Sequence, residues 1–172
     1  MIILEFLIDG FFAAIAAIGF GAISNPPRRA YAAIALLAAV GHALRYGLMH
    51  YLNIDIATAS IAASFTIGMG SVVLGARTHC PITVLYIPAL LPMIPGMYAY
   101  RIVFALIMFL QNLNNPAMEQ QYIQQLFVNG VVTATVIFNL AVGATIPIFL
   151  FQQKAFAMTR YAPKKWGTKQ ME

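Results

Sequence analysis

Long hydrophobic stretches alternate along this chain with short links that hold nearly all of its charge. A bilayer core of about 30 Å needs about 20 apolar residues per helix. On that measure the pattern predicts five crossings, over residues 3–23, 30–51, 56–76 and 82–110, with a fifth that starts between Tyr122 and Gly130 and ends near Phe151. The expected fold is all-α: a polytopic membrane protein with five transmembrane helices and a proline-broken or re-entrant fourth segment. Residues 1–151 would form the transmembrane domain and 152–172 a basic cytoplasmic tail.

The fourth segment is the most unusual. It is apolar, yet it contains Pro81, Pro88, Pro92 and the pair Pro95-Gly96, with Arg101 just beyond. Each interior proline removes a backbone donor and clashes with the preceding turn. In lipid the freed groups must find partners within protein or around a water-filled cavity. Broken helices at membrane depth are where many transporters build substrate sites. Two arrangements fit: a broken crossing, or a re-entrant hairpin over 81–95 with 97–113 alone making the crossing. The last stretch, from Asn115-Pro116 with Glu119 in its first turn, reads as a helix start. A helix from there to Phe151 would be about 54 Å long, so residues 116–125 are expected to project from the membrane or lie on its surface.

Of the 172 residues, 61% are hydrophobic and 9% charged, against about a quarter charged in soluble domains. The first charges, Glu5 and Asp9, are acidic, unlike the basic start of a cleaved signal, so the first stretch is expected to be retained. The lone Cys80 excludes an internal disulfide and reads as a thiol without chemistry. No nucleophile–base pair, metal-ligand spacing or phosphate loop is evident, so the chain reads as a non-enzyme without cofactor or metal. Eight of the ten Lys and Arg lie in the 25–29 link, the link after the third helix, or the tail. With five crossings these share one side, which places the N-terminus in the periplasm and the C-terminus in the cytoplasm of an inner-membrane protein. The net charge of +5 therefore marks membrane flanks rather than nucleic acid, and the tail is expected to meet anionic lipid.

Charges inside the membrane are costly and are functional candidates by default. His42, Arg45 and Met49 share one helical face. Arg45 suits a two-pronged bond to a substrate carboxylate, and His42 suits proton coupling; snorkelling, or a pair with Asp55, is the plain alternative for Arg45. The helix starting at Gly96 would offer its first N–H groups to an anion, with Arg101, Tyr98 and Tyr100 adding a charge and two hydroxyls; pairing with another subunit is the alternative. Asp55 and His50 read as end groups, with proton entry or gating as the sharper role for Asp55. The hydroxyls of Thr58, Ser60, Ser64, Thr66 and Ser71 usually bond back to their own helix. The rows Ala13/Ala17/Gly21 and Ser60/Ser64/Gly68 allow close helix packing, either within the chain or against another.

At these positions the chain resembles the small subunit of split threonine/serine exporter-type proteins. The resemblance rests on Asn25-x-Pro27-x-Arg29-Ala30, Gly41-His42-Ala-Leu-Arg45 with Leu48-Met49, Leu52-Asn53-Ile54-Asp55, and Pro92-Met-Ile-Pro95-Gly96 with Tyr98-Ala99-Tyr100. It runs from about Phe12 to Leu150. Arg101 and the tail fall outside the pattern. The resemblance implies one half of an exporter for threonine and serine or for succinate-like dicarboxylates. It implies a larger membrane subunit of the same family as partner, and a small carboxylate as solute. A homo-oligomer, and a structural subunit that carries no solute itself, remain as alternatives. His42, Arg45, Pro92, Pro95, Gly96, Tyr98 and Arg101 are the candidate substrate-binding residues, and His42 and Asp55 the candidates for proton coupling or gating.

Overall fold

The computed structural model describes residues 2–151. Within them lie α1 (Ile2–Ile23), α2 (Ala30–Tyr51), α3 (Ile56–Thr78), α4 (Ile82–Leu90), a 3₁₀ turn (Leu91–Met93), α5 (Gly96–Gln111) and α6 (Pro116–Leu150). Four helices are long and apolar enough to cross a membrane; Ile82–Met93 and Gly96–Gln111, bent by 54° at their junction, make a fifth if taken as one span. The expected break is therefore present. The basic tail and its expected lipid contact lie outside the described residues.

Local chemistry sets the helix ends. Asp55 precedes α3 in an extended conformation and accepts from the Thr58 amide at 2.9 Å, a side-chain N-cap. Asn115 caps α6 in the same manner, with Pro116 in the first turn. Asn25, Asn53 and His79 take positive φ in the links after α1, α2 and α3.

The helices pack through small residues. In lipid, apolar burial gains little between helices, so close van der Waals contact has to hold them. α1 and α2 form an antiparallel hairpin with Gly10 against the backbone of Ala39 and Gly21 against Ile34. α3 and α6 run parallel: Gly68 faces Ala144, and Gly143 faces Ser64 and Ile61. Asn139 ties the pair, donating to the Ala57 carbonyl at 2.9 Å while its own carbonyl accepts from Ser64 Oγ at 3.2 Å. Both small-residue rows thus pack within the chain. Ile34, Leu37, Ile67, Leu85, Met93 and Val136 fill the centre.

At one end of this body Arg29 donates to the His79 carbonyl at 3.2 Å, so the two basic links sit together. The α2–α3 link, with Asp55, forms the other end. α4 packs inside the body on α1, α2 and α3, whereas α5 packs chiefly on α6. Val136 and Leu140 of α6 are buried in the central cluster, with Val132 packed against it. Asn139 bonds to Ala57 at the start of the parallel α3, so the 16 residues of α6 before Val132, about 24 Å of helix, run on beyond the Asp55 end. The start of α6 thus runs on beyond α3, and α5 packs along it as the second half of a two-helix arm.

A Cβ on Gly143 would lie 2.7 Å from the Ile61 carbonyl and against Ser64 Oγ, whereas one on Gly130 would meet nothing within 4 Å. Gly143→Ala should force α3 and α6 apart and destabilise by about 1–3 kcal/mol. Gly130→Ala should be neutral or gain up to about 1 kcal/mol from helix propensity. Thermal unfolding of the detergent-solubilised protein would compare the two directly.

Candidate functional site

The proline break is the point around which the polar groups gather. Pro92 begins the 3₁₀ turn's second position, Ile94 is extended, and Pro95 caps α5 without a side-chain bond. The chain therefore leaves the helical ladder between Met93 and Gly96. Gly96 N–H turns back to the Ile94 carbonyl at 2.8 Å, and Tyr98 and Ala99 N–H both reach the Pro95 carbonyl. Three of the first donors of α5 are thus engaged by local backbone, rather than presented to an anion as the sequence suggested.

The Met93 carbonyl is satisfied from another helix. Arg45 Nη1 on α2 donates to it at 2.6 Å. Gly41, one turn earlier on the same face, makes the approach feasible: a Cβ there would lie 2.5 Å from Ile67 Cδ1 and 3.1 Å from Met93 Cε. The Met93 side chain is wholly buried in this notch, so its carbonyl is held one helical turn along, at Arg45.

Arg45 Nη2 lies 3.2 Å from His42 Nε2. A guanidinium has only donors, so His42 Nε2 accepts with its lone pair. The ring proton is then on Nδ1, which donates to Asp9 Oδ2 of α1 at 2.5 Å. Asp9, His42, Arg45 and the Met93 carbonyl form one chain of hydrogen bonds linking α1, α2 and the break. One turn towards the Asp55 end, Tyr46 donates to Glu5 at 3.0 Å. Phe6 stacks on Tyr51 and lies edge-on to Tyr46.

The other sequence candidates are placed differently. Pro92 and Pro95 shape the break beside Arg45, whereas Gly96 is exposed at the start of α5. Tyr98 and Arg101 take no hydrogen bond in this chain, and the Arg101 guanidinium lies 5.8 Å from the Tyr98 ring centre. Tyr100 is exposed beside Phe104. Asp55 caps α3 rather than pairing with Arg45. His50 stacks on Tyr46. Ser60, Ser64, Thr66 and Ser71 all donate to carbonyls of their own helix. Cys80 is buried against the Thr78 carbonyl. Among the described residues no three His, Cys, Asp or Glu side chains form a metal-binding group. An apolar groove of about 770 Å³ between α1 and α2, lined by Phe6, Phe11, Leu36 and Val40, lacks the polar groups of the site.

Comparison with known proteins decides the family. The model described as "Threonine/Serine exporter, ThrE" matches residues 9–150, most of the chain. The chain belongs to the threonine/serine exporter family. A relative from Haemophilus influenzae, an uncharacterized protein, is 32% identical over 151 residues, covering 88% of this chain and 49% of the relative. The chain thus spans about half the length of that relative. No solved structure matches. The family match takes in Asp9, His42, Arg45 and the break together.

Asp9 is the member of this threonine/serine exporter chain's site that sequence reading overlooked, treating it only as an acidic N-terminal charge. The available signal was a carboxylate deep within an apolar helix, a costly placement without a partner. The α1–α2 hairpin register supplies the partner, pairing Glu5 with Tyr46, Asp9 with His42 and Gly10 with Ala39.

Removing Arg45 would orphan the Met93 carbonyl. Arg45→Leu should cost about 1–3 kcal/mol and loosen the break, read as faster maleimide labelling of a cysteine placed at Ile94 in a background lacking Cys80. A second outcome concerns Asp55, whose carboxyl is held below the usual range, first by its bonding to Thr58. A lowered folded-state value means the stabilisation is present above the unfolded value of about 3.9 and disappears as pH falls through the folded one. Asp55→Ala should therefore lower the unfolding temperature at pH 7, with the gap to wild type closing as the medium is taken below about pH 4.

Proposed function

We propose that this chain is one half of a secondary exporter for small carboxylate-bearing metabolites, threonine and serine or succinate-like dicarboxylates. Its solute site would lie at Arg45, His42 and the break. The observation that carries this reading is the engagement of both terminal nitrogens of Arg45, one by the Met93 carbonyl and one by His42. Those are two donors that a carboxylate needs for a two-pronged bond. Charged hydrogen bonds are roughly twice as strong as neutral ones, so an arriving carboxylate would compete well with a neutral carbonyl. Taking it would release Met93, and with it the hinge between α4 and α5.

Protonation of His42 at Nε2 would remove the acceptor for Arg45 Nη2, while Nδ1 keeps its bond to Asp9. A proton arriving at His42 would thus free one arm of Arg45, and solute would free the other. This links proton and solute through one guanidinium and gives Asp9 the role of orienting the ring. In this reading the partner is a larger membrane subunit of the same family. The chain sits in the inner membrane with its N-terminus periplasmic and its C-terminus cytoplasmic, and it is not an enzyme. The pairing of the two basic links at one end supports that orientation.

A second reading, a structural subunit without a solute of its own, is favoured by the internal partners that both terminal nitrogens of Arg45 already hold. Efflux of labelled threonine, serine and succinate from cells, at matched membrane abundance of the complex, separates the two. Arg45→Gln should reduce export of one solute about tenfold or more, in line with a lost charged bond of about 1.5–3 kcal/mol. Unchanged flux per complex would remove Arg45 from the solute path. His42→Gln keeps an acceptor but cannot take the proton, so residual export should lose its dependence on the imposed pH gradient; a retained dependence would exclude His42 as the coupling site.

A further inference from the structure

We infer that Glu5, held by Tyr46, is the proton port of His42: it exchanges protons with water at the Asp55 end and, through one bridging water, with Asp9. The inference rests on the coupling reading above, in which His42 takes a proton, and adds the route by which that proton meets the outside.

The α1–α2 hairpin carries two polar rungs in one register. Glu5 bonds to Tyr46, and Asp9 to His42. Glu5 and Asp9 are four residues apart on α1, as are His42 and Tyr46 on α2. Each pair therefore shares a helical face, and the rungs stand about 6 Å apart along the axis. Two hydrogen bonds of about 2.8 Å, made by one water, span that gap. The Asp9 carboxylate is also among the charges that act on the Tyr46 hydroxyl.

Exposure falls inward along this line. Measured from the end of α2 at Tyr51, the Tyr46 rung lies about 8 Å in and the His42 rung about 14 Å in. Glu5 is exposed, whereas the side chains of Asp9 and His42 are 27% and 18% exposed. Phe6 packs edge-on to Tyr46, in the notch at Gly47 where a Cβ would lie 2.9 Å from its ring. Leu4, Leu7 and Ile8, the other neighbours on α1, are apolar. Glu5 is thus the group on α1 through which a proton can approach Asp9 from that end. Among the described residues, the remaining titratable groups around this face are few. On α2 they are Arg45, His50 stacked on Tyr46, and Tyr51. α3 holds Asp55 in its cap and Arg77 at its far end, and α4 holds Tyr86 against the central cluster. The 3₁₀ turn brings the Met93 carbonyl.

Chains of Asp, Glu and His are the usual proton relays within membranes. Here one proton moves and nothing else. From the imidazolium, the Nδ1 proton passes to Asp9 Oδ2. Asp9 gives a proton from its other oxygen, through the water, to Glu5, which releases it to the medium. His42 is left neutral with its proton on Nε2, and both carboxylates are ionised as before. Loading from outside is the same sequence reversed. The ring thus keeps one nitrogen for the port and the other for Arg45.

The test uses right-side-out vesicles that carry the complex in its own membrane, loaded with labelled threonine, serine or succinate. Two modes are compared at matched abundance. One is net efflux driven by an acid exterior; the other is exchange against the same unlabelled solute at equal pH, which moves no net proton. Glu5→Gln should slow the driven efflux about tenfold or more and leave exchange at the wild-type rate, while Glu5→Asp should retain both. Driven efflux unchanged in Glu5→Gln would overturn the port and leave the coupling reading intact. Equal loss of both modes would also overturn it, because Glu5 would then be a structural or solute-binding group. Wild-type efflux that ignores the pH gradient, or no export at all, would overturn the coupling reading and this inference with it.

Discussion

A backbone carbonyl left without its helical donor at a proline-marked break has to be bonded where water is scarce, and this requirement organises the protein. Met93 ends the helical ladder before Ile94 and Pro95, and its carbonyl is left to find a donor outside its own segment. Arg45 supplies that donor from α2 at 2.6 Å. The geometry depends on Gly41, whose missing side chain leaves room for Met93 and Ile67 against α2. An arginine in a membrane helix and a broken helix are each costly alone. Together each offsets part of the cost of the other.

The same guanidinium extends the network to α1. Because Arg45 can only donate, His42 is held with its proton on Nδ1, aimed at Asp9. Donation therefore runs outward from Arg45 in two directions, to the Met93 carbonyl and through His42 to Asp9. A change at either end alters what the middle can bind. That property makes the arrangement suitable for joining protonation to movement of the break, and it distinguishes these groups from the capping carboxylate of Asp55, whose partner is its own helix.

The body and the arm have different physical characters. The body is held by small residues at α1–α2 and α3–α6, with side chains such as Ile34, Ile67 and Met93 wholly buried. In the arm, α5 has one buried residue, Ala105, while large apolar groups face outward.

Much of this was legible in sequence because lipid imposes simple rules. Runs of about twenty apolar residues, with prolines and charged links between them, marked the helices from α1 to α3 within about two residues and located the break. The interior charges drew attention to His42 and Arg45 because membrane burial makes any charge conspicuous. The serine and glycine rows announced close packing but not its partner, since spacing describes one face and not what meets it. Asp9 was overlooked for the same reason: its significance lies in the hairpin register that sets it against His42. Arg101 follows Gly96 closely in sequence, yet after the 54° bend its side chain takes no bond in the chain from Asp9 to Met93 and lies beside the Tyr98 ring. Periodicity and hydropathy are properties of each segment and were decided by the sequence alone. Which segments face one another, and hence which polar groups share a bond, depended on helix register and bend angle, which only tertiary packing decides.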